Sequence, residues 1–181
     1  MNEAEQAALG APAPALELPD TSGERHGLPA GPAQAPATVV FWTCNHCPYA
    51  LAWHGRIVEV AGEYAERGVR FLAVNSNDSA RYPADSPEAM RERVERERWP
   101  FPYLWDEDQT AAREWGALVT PHLFVLDAEL RLRYQGAPDA DHRDPALRAE
   151  WLRRALDAVL AGAEPPASTE PVGCSIKWKE T

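Results

Sequence analysis

Two cysteines separated by two residues are the part of this sequence best suited to chemistry. Cys44 and Cys47 enclose Asn45 and His46 and come directly before Pro48. Cysteines about one helical turn apart can close a small disulfide. A thiol at a helix N-terminus has a lowered pKa, because unpaired backbone N–H groups and the positive end of the helix dipole favour the thiolate. The pair therefore predicts a dithiol/disulfide redox site.

The segments on either side of the pair predict how it is held. The run Thr38 to Thr43 is almost wholly apolar, which is typical of a strand buried on both faces. From Pro48 to Arg67 apolar residues recur at near-helical spacing, with Pro48 in the first turn and Gly68 just past the end. A second apolar run, Val69 to Val74, follows. This order predicts a right-handed βαβ unit with parallel strands, and hence an α/β fold.

The rest of the chain predicts further short elements within one domain over residues 1–181. These elements are a hairpin over 15–28, a helix from Ser86 and Pro87 to about Arg98, a short strand ending at Trp105, a brief helix capped by Asp108, a hairpin of His122–Leu126 with Leu130–Gln135, and a helix from Asp144 and Pro145 to Gly162. Residues 1–14 are expected to be irregular, residues 31–36 to form a Pro/Gly-rich connection, and residues 163–181 to form a C-terminal tail.

Composition excludes several classes of function. Eighteen Lys and Arg against 28 Asp and Glu give a net charge of −10, which offers no electrostatic support for nucleic-acid binding. The N-terminus lacks a basic segment followed by a long apolar core, and no apolar run approaches membrane-spanning length. These features predict a cytoplasmic protein without a membrane partner. In a reducing compartment a close cysteine pair is more often catalytic or metal-binding than structural.

Three histidines and a tryptophan are further candidates for the site. His46 can stabilise the thiolate of Cys44 and make the couple more oxidising; the alternative is an exposed histidine with little influence. Trp42, two residues before Cys44, is expected to line the site. His54 and His122 could complete a Zn or Cu(I) site with the two thiolates, but only one close ligand pair is present, so no metal is predicted.

The third cysteine and one charged run each allow a functional and a purely structural interpretation. Cys174 lies in the tail, where it could reach the pair as a resolving thiol on a flexible segment or be buried beside Trp178. The charges alternate in sign over residues 91–98, which is typical of a solvated helix face with local ion pairs, so no function is assigned to this run.

Several stretches of the chain resemble one peroxiredoxin-like group of the thioredoxin family, the AhpC/TSA-type redoxins. They are residues 9–14 and 18–23, the motif Phe41 to Tyr49, and the ending Val172 to Lys179. The resemblance implies a thioredoxin-like fold, with a central mixed β-sheet flanked by helices. It also implies that Thr120-Pro121 forms a cis-proline loop facing the disulfide, where the preceding backbone can pair with an extended substrate. No organic cofactor is implied.

Two departures from the family pattern affect the chemistry. Thioredoxin has a buried aspartate on the strand before the motif, and Val40 stands there in this chain, so proton transfer must use another group or water. True peroxiredoxins have a threonine three residues before the peroxide-reacting cysteine. Here Cys44 takes the place of that threonine and Cys47 that of the reactive cysteine.

The sequence thus predicts a thiol-disulfide oxidoreductase. Cys44, which comes first and is expected to be more exposed, attacks as the thiolate, and Cys47 resolves the mixed disulfide. The expected partner is a protein or small-molecule thiol or disulfide; the sequence carries no signal for an oligomeric state. Two alternatives stay open: a thiol peroxidase with Cys47 reacting with peroxide and Cys44 resolving, and a Cu- or Zn-binding protein without enzymatic activity.

Overall fold

A five-stranded mixed sheet forms the centre of the protein. The computed structural model describes residues 8–28 and 35–181. The sheet has the strand order β5-β4-β3-β7-β8; β1 pairs with β2 and β6 with β9 in two smaller sheets. The strands are β1 Leu16–Pro19, β2 Arg25–Leu28, β3 Ala37–Trp42, β4 Arg70–Asn75, β5 Tyr103–Trp105, β6 Val119–Thr120, β7 His122–Asp127, β8 Leu132–Gly136 and β9 Cys174–Ser175. The helices are α1 Pro48–Ala65, α2 Pro87–Glu97, α3 Thr110–Trp115 and α4 Glu150–Leu160.

The middle strand, β3, leads directly to the cysteine motif. All six of its residues are buried, and it pairs with β4 in parallel and with β7 antiparallel. Alternate side chains point to opposite faces of a sheet. Val39 and Phe41 accordingly join a core layer with α1 and α4, whereas Val40 and Trp42 join a second layer with α3. The predicted buried strand and βαβ unit are confirmed, and the fold is the α/β arrangement of a central mixed sheet flanked by helices.

Most of the other predicted elements are also found. The N-terminal hairpin forms from β1 and β2, and the later hairpin forms from β7 and β8. Helix α2 begins as predicted, with the Ser86 hydroxyl accepting a hydrogen bond from the N–H of Ala89 and Pro87 in the first turn. Helix α3 follows a turn in which the N–H of Thr110 donates to Asp108.

The predicted start of the last helix is wrong. Helix α4 begins at Glu150, not at Asp144. The guanidinium of Arg56 donates to backbone carbonyls in the preceding loop, that of Asp144 included, and these carbonyls are directed at the side chain. Asp139 accepts a hydrogen bond from the N–H of Ala149, the residue before the helix. Contacts with distant residues therefore hold residues 141–149 in a loop, and local sequence does not show these contacts.

The C-terminal residues pack against the rest of the fold, so the alternative that placed Cys174 on a flexible segment is not what the structure shows. Strand β9 pairs antiparallel with β6. Ile176 is only 3% exposed and joins the second core layer, and its N–H donates to the carbonyl of Leu118. The N–H of Lys177 donates to Oδ1 of Asn77 at 2.8 Å. These contacts fix the end of the chain against the sheet.

Two predictions fall partly outside the described residues. Residues 1–7 of the N-terminal segment and residues 31–34 of the Pro/Gly-rich connection are not described. Residues 8–14 contain no helix and no strand longer than a single bridge, which joins Pro12 to Arg131. Within the described ranges, no helix combines the length and the apolar character needed to cross a membrane.

Candidate active site

The two motif cysteines lie where β3 passes into α1. Cys47 is the residue before the helix, and Pro48 occupies its first position. Both cysteines are free thiols, 1% and 0% exposed, so both are buried and the predicted difference in exposure between them is negligible. The peptide bond between Thr120 and Pro121 is cis, as the family resemblance implies. The loop that contains it lies directly against both sulfurs.

Thr120 contacts both thiols with different atoms. Its hydroxyl is 3.4 Å from Sγ of Cys44, and the thiol of Cys47 donates to its carbonyl oxygen at 3.1 Å. The two cysteines also pack together in one buried cluster with Ala50. This arrangement sets the dithiol and the cis-proline loop in one buried cluster.

The two thiols have pKa values shifted in opposite directions. The pKa of Cys47 is lowered, to about 4, mainly because Cys44 donates a hydrogen bond to it, with smaller contributions from Thr120, the N–H of Ala50 and Cys174. The pKa of Cys44 is raised by that same hydrogen bond, then by burial and by the negative charge of Asp85. The pair therefore loses its first proton readily and its second with difficulty, and Cys47 at the helix N-terminus carries the charge.

The third cysteine lies beside the pair. In the β6–β9 register Cys174 is opposite Thr120, and it packs against the cluster formed by Cys44, Cys47 and Ala50. The pKa of Cys174 is raised by burial and then by Cys47, although the residue is partly exposed. Of the two alternatives for Cys174, the structure favours the one that brings it to the pair.

A buried carboxylate beneath the motif was not predicted. Asp85 is fully buried in the segment between β4 and α2, and its oxygens accept hydrogen bonds from the N–H of Asn45 at 2.7 Å and from the side-chain amides of Asn75 and Asn77 at 3.0 Å. It also bonds to Nδ1 of His46 at 2.6 Å. The missing aspartate of the preceding strand thus has a counterpart that reaches the motif from another element.

His46 is held on the surface side of this carboxylate. Its ring stacks on that of Tyr82 with centroids 5.4 Å apart and planes 5° from parallel. A ring nitrogen of His46, Sγ of Cys44 and a carboxylate oxygen of Asp85 all lie within 4.8 Å of one another. The predicted proximity of His46 to the thiol of Cys44 is therefore present.

One residue of the charged run also reaches the motif. Arg93, on α2, is buried, and its guanidinium donates to the backbone carbonyl of Cys44 at 3.0 Å and to Oδ1 of Asn45 at 3.1 Å. The hydroxyl of Tyr103 donates to the same oxygen of Asn45. The description of residues 91–98 as a solvated face is wrong at this position. A signal was present, because Arg93 falls one helical turn after Met90, which is also buried.

Three predicted candidates lie elsewhere. Trp42 donates to the hydroxyl of Ser76 and packs against the rings of Trp115 and Phe124 in the second core layer, which is the position of a core residue. His54 packs against Trp99, with the two rings tilted by 35°. His122 accepts a hydrogen bond from the N–H of Leu118 and stacks on Phe124. The two histidines therefore do not form a metal site with the cysteines. A thiophilic ion would instead find Cys44 and His46 beside Asp85.

Comparison with known proteins agrees with this architecture. Residues 9–135 match the AhpC/TSA family. A thiol:disulfide interchange protein DsbE from Allochromatium vinosum is 28% identical over 127 residues, which cover 68% of this chain and 64% of that relative, so this chain spans less than two thirds of its length. The solved structure of an uncharacterized conserved protein from Geobacillus kaustophilus is 38% identical, with a TM-score of 0.91 over 98% of this chain and 95% of that one.

A more distant structure identifies the fold. The thioredoxin domain of a thiol-disulfide oxidoreductase from Bacteroides vulgatus superposes with a TM-score of 0.56 over 70% of this chain and 86% of that domain, at 14% identity. The fold is thus thioredoxin-like. Since the family match covers most of the sequence and includes the cysteine motif, the chain belongs to the AhpC/TSA family.

Proposed function

We propose that this protein is a thiol-disulfide oxidoreductase that exchanges two electrons through a Cys44–Cys47 dithiol/disulfide couple. One observation carries the proposal: two free thiols lie together at a helix N-terminus, against the backbone and hydroxyl of Thr120 in the cis-proline loop. The name of the DsbE relative supports the same reaction class. Partners would be protein or small-molecule thiols and disulfides.

The pKa values of the two thiols support different roles for Cys47 and Cys44 in the reaction. Cys47 has the lowered pKa and is the thiolate of the reduced pair, whereas Cys44 keeps the second proton. This reverses the roles predicted from the sequence. Cys47 attacks a disulfide in the substrate, forms a mixed disulfide and releases one substrate thiol; Cys44 then attacks Cys47, forms the Cys44–Cys47 disulfide and releases the second substrate thiol. Burial and the hydrogen bond from the Cys47 thiol to the carbonyl of Thr120 favour its protonated form, but the hydrogen bond from Cys44 outweighs them.

Asp85 supplies the buried carboxylate near the proton that must leave. An oxygen of Asp85 lies within 4.8 Å of Sγ of Cys44, and His46 links the same carboxylate to the surface. As Cys44 attacks, its proton can pass to this pair and from His46 to water. Asp85 and His46 would thus take the role that the aspartate missing at Val40 has in thioredoxin.

A redox titration tests the proposal. Wild-type protein equilibrated with reduced and oxidised glutathione should show one two-electron couple, with the disulfide mapped to Cys44 and Cys47. Cys44→Ser and Cys47→Ser should each lose this couple and the ability to reduce insulin. The Cys174→Ser variant is the matched control and should keep the couple. A wild-type protein in which Cys44 and Cys47 never become linked would contradict the proposal.

The peroxidase alternative is favoured by one observation, the lowered pKa of Cys47. Peroxide would oxidise the Cys47 thiolate to sulfenic acid and release hydroxide, and Cys44 would then form the disulfide and release water. The chain has seven tryptophans, so stopped-flow fluorescence can follow this step. Fast quenching by hydrogen peroxide, with no insulin reduction, would favour the peroxidase.

The metal-binding alternative has its own observation, the approach of Cys44, His46 and Asp85 to one another. Metal analysis after anaerobic purification tests it. Stoichiometric Zn or Cu that is lost in the Cys44→Ser variant would favour this alternative over the redox couple.

A further inference from the structure

Strand β9 brings a third thiol to the contact point of the first two. Cys174 is paired with Thr120, the residue whose hydroxyl and carbonyl contact Cys44 and Cys47. Cys174 packs against the buried cluster that contains Cys44 and Cys47. All three cysteines of the chain therefore meet at one residue of the cis-proline loop.

The strand that carries Cys174 is a fixed part of the site. Two residues after it, Ile176 is buried in the second core layer. The carbonyl of Lys177 accepts hydrogen bonds from the N–H of Asp78 and from the side-chain amide of Gln109. Releasing β9 would expose Ile176 and break these hydrogen bonds. Cys174 therefore already lies beside the pair, and the tail does not have to move to bring it there.

Access to the dithiol depends on this arrangement. Cys44 and Cys47 are 1% and 0% exposed, whereas Cys174 is partly exposed. An open strand edge can recruit an extended peptide by β-pairing. The backbone of Val119–Thr120 is instead paired by β9. We therefore expect an external thiol or disulfide to reach Cys174, which is partly exposed, before it reaches either motif cysteine.

We propose that Cys174 is the entry thiol of a three-cysteine relay, which exchanges first with the external partner and then with Cys47. This inference rests on the proposed redox function of the Cys44–Cys47 couple and names the residue through which that couple communicates. It replaces the direct attack of Cys47 on the partner by an attack on Cys174. The partner class is a thiol or disulfide that approaches from solvent without adding a strand to β6.

The relay conserves atoms and electrons in three exchanges. The Cys174 thiolate attacks a partner disulfide, forms a mixed disulfide and releases one partner thiol. Cys47 attacks the sulfur of Cys174, forms a Cys47–Cys174 disulfide and releases the second partner thiol. Cys44 gives up its proton and attacks Cys47, which forms the Cys44–Cys47 disulfide and returns Cys174 to a thiol that takes up a proton. The partner gains two electrons, and the motif pair loses them.

The central intermediate can be trapped by removing the last thiol. In Cys44→Ser, oxidation with diamide should join Cys47 to Cys174 within one chain, detected by mass spectrometry of non-reduced, alkylated peptides. The double variant Cys44→Ser/Cys174→Ser should form no such link. Thermal unfolding of both variants establishes that they are folded. Free, alkylated Cys47 and Cys174 in folded Cys44→Ser protein would overturn the proposal.

The entry role has a separate test with oxidised glutathione as the probe. In Cys47→Ser the relay is interrupted, so glutathione should accumulate as a mixed disulfide on Cys174. In Cys174→Ser, which keeps the size of the side chain, the Cys44–Cys47 disulfide should form more slowly than in wild type by roughly tenfold or more, because exchange requires direct access to the attacked sulfur. Glutathione attached to Cys44, or an unchanged rate in Cys174→Ser, would overturn the entry role.

These results separate the two proposals. If wild-type protein does not form the Cys44–Cys47 disulfide with glutathione, the oxidoreductase function fails. If wild type forms it and Cys174→Ser forms it at the same rate, only the relay fails, and the partner reaches the motif pair directly.

Discussion

Asp85 and His46 are joined by a hydrogen bond of 2.6 Å between Oδ2 and Nδ1. The carboxylate is fully buried, whereas the imidazole side chain is 31% exposed. The pair therefore connects a charge beneath the cysteine motif to solvent. Asp85 also accepts a hydrogen bond from the N–H of Asn45. Its carboxylate therefore holds the backbone between the two cysteines and also contributes a negative charge near them.

Asp85→Asn should lower the pKa of Cys44 and destabilise the fold. The charge of Asp85 is one cause of the raised pKa of Cys44, after the hydrogen bond with Cys47 and burial. The side-chain amide of the new asparagine would also point N–H groups at donors that now bond to the carboxylate. This should lower the free energy of unfolding by about 1–3 kcal/mol. Thiolate absorbance in a Cys47→Ser/Cys174→Ser background would report the pKa of Cys44. Glu88→Gln, at an exposed position, should change neither quantity.

The position of Asp85 also shows where sequence reasoning succeeds and where it ends. Strand β3 and helix α1 could be predicted from the sequence. A strand buried on both faces is a continuous apolar run, and a helix buried on one face has apolar residues at helical spacing. Asp85 is 39 residues from its partner His46, and Arg93 is 49 residues from Cys44. Such contacts leave no local pattern. The hydrogen bonds of Arg56 that keep α4 from starting early belong to the same class.

His46→Ala should lower the reduction potential of the couple. The imidazole hydrogen-bonds to the carboxylate of Asp85, so its loss leaves the carboxylate without that partner beside the reduced, thiolate-bearing pair. Destabilising the reduced form makes the protein a stronger reductant, and each tenfold loss of stabilisation shifts a two-electron couple by about 30 mV. A glutathione titration measures the shift. His26→Ala, in the N-terminal hairpin, is the control, and an unchanged potential in His46→Ala would show that the imidazole has no electrostatic role.

The potential should depend on pH with the slope of a single proton. Cys47 has a pKa lowered to about 4 and Cys44 has a raised one, so the reduced pair holds one proton across the neutral range. From about pH 5 to about pH 8 the potential should therefore fall by roughly 30 mV per pH unit, half the value for a fully protonated dithiol.

The lowered pKa of Cys47 also predicts how the stability of the reduced form depends on pH. The unfolded Cys47 keeps the ordinary pKa of 9.0, so unfolding takes up a proton between about pH 4 and 9. The free energy of unfolding of the reduced protein gains a contribution that rises with pH across this window and is lost as pH falls towards 4. Urea unfolding of reduced wild type and Cys47→Ser would separate this contribution. Equal pH dependence in both would contradict the lowered pKa.

Arg93→Met should destabilise the protein although the residue lies in a highly charged helix. Its guanidinium is the donor to the buried carbonyl of Cys44, and the loss of a partner for a buried acceptor costs about 1–3 kcal/mol. Arg91→Met is the matched control, because Arg91 is exposed on the same helix and such substitutions usually change stability by less than about 0.5 kcal/mol. Chemical unfolding of the two variants should therefore give clearly different midpoints. Equal midpoints would show that the contact to Cys44 contributes no stability.

Gly173→Ala should move strand β9 away from the cysteine pair without altering any thiol. A Cβ at position 173 would overlap the carbonyl of Thr120 and lie 3.2 Å from the nitrogen of Pro121, so the strand must shift, and overpacking of this kind costs about 1–3 kcal/mol. Gly62→Ala is the control, since Gly62 lies in α1 with nothing within 4 Å of a new Cβ. Alanine at this helical position should raise the free energy of unfolding by about 0.5–1 kcal/mol. In a Cys44→Ser background, Gly173→Ala should reduce the yield of the Cys47–Cys174 disulfide while Gly62→Ala leaves it unchanged. An undiminished yield would mean that the close packing of β9 on Thr120 does not position Cys174.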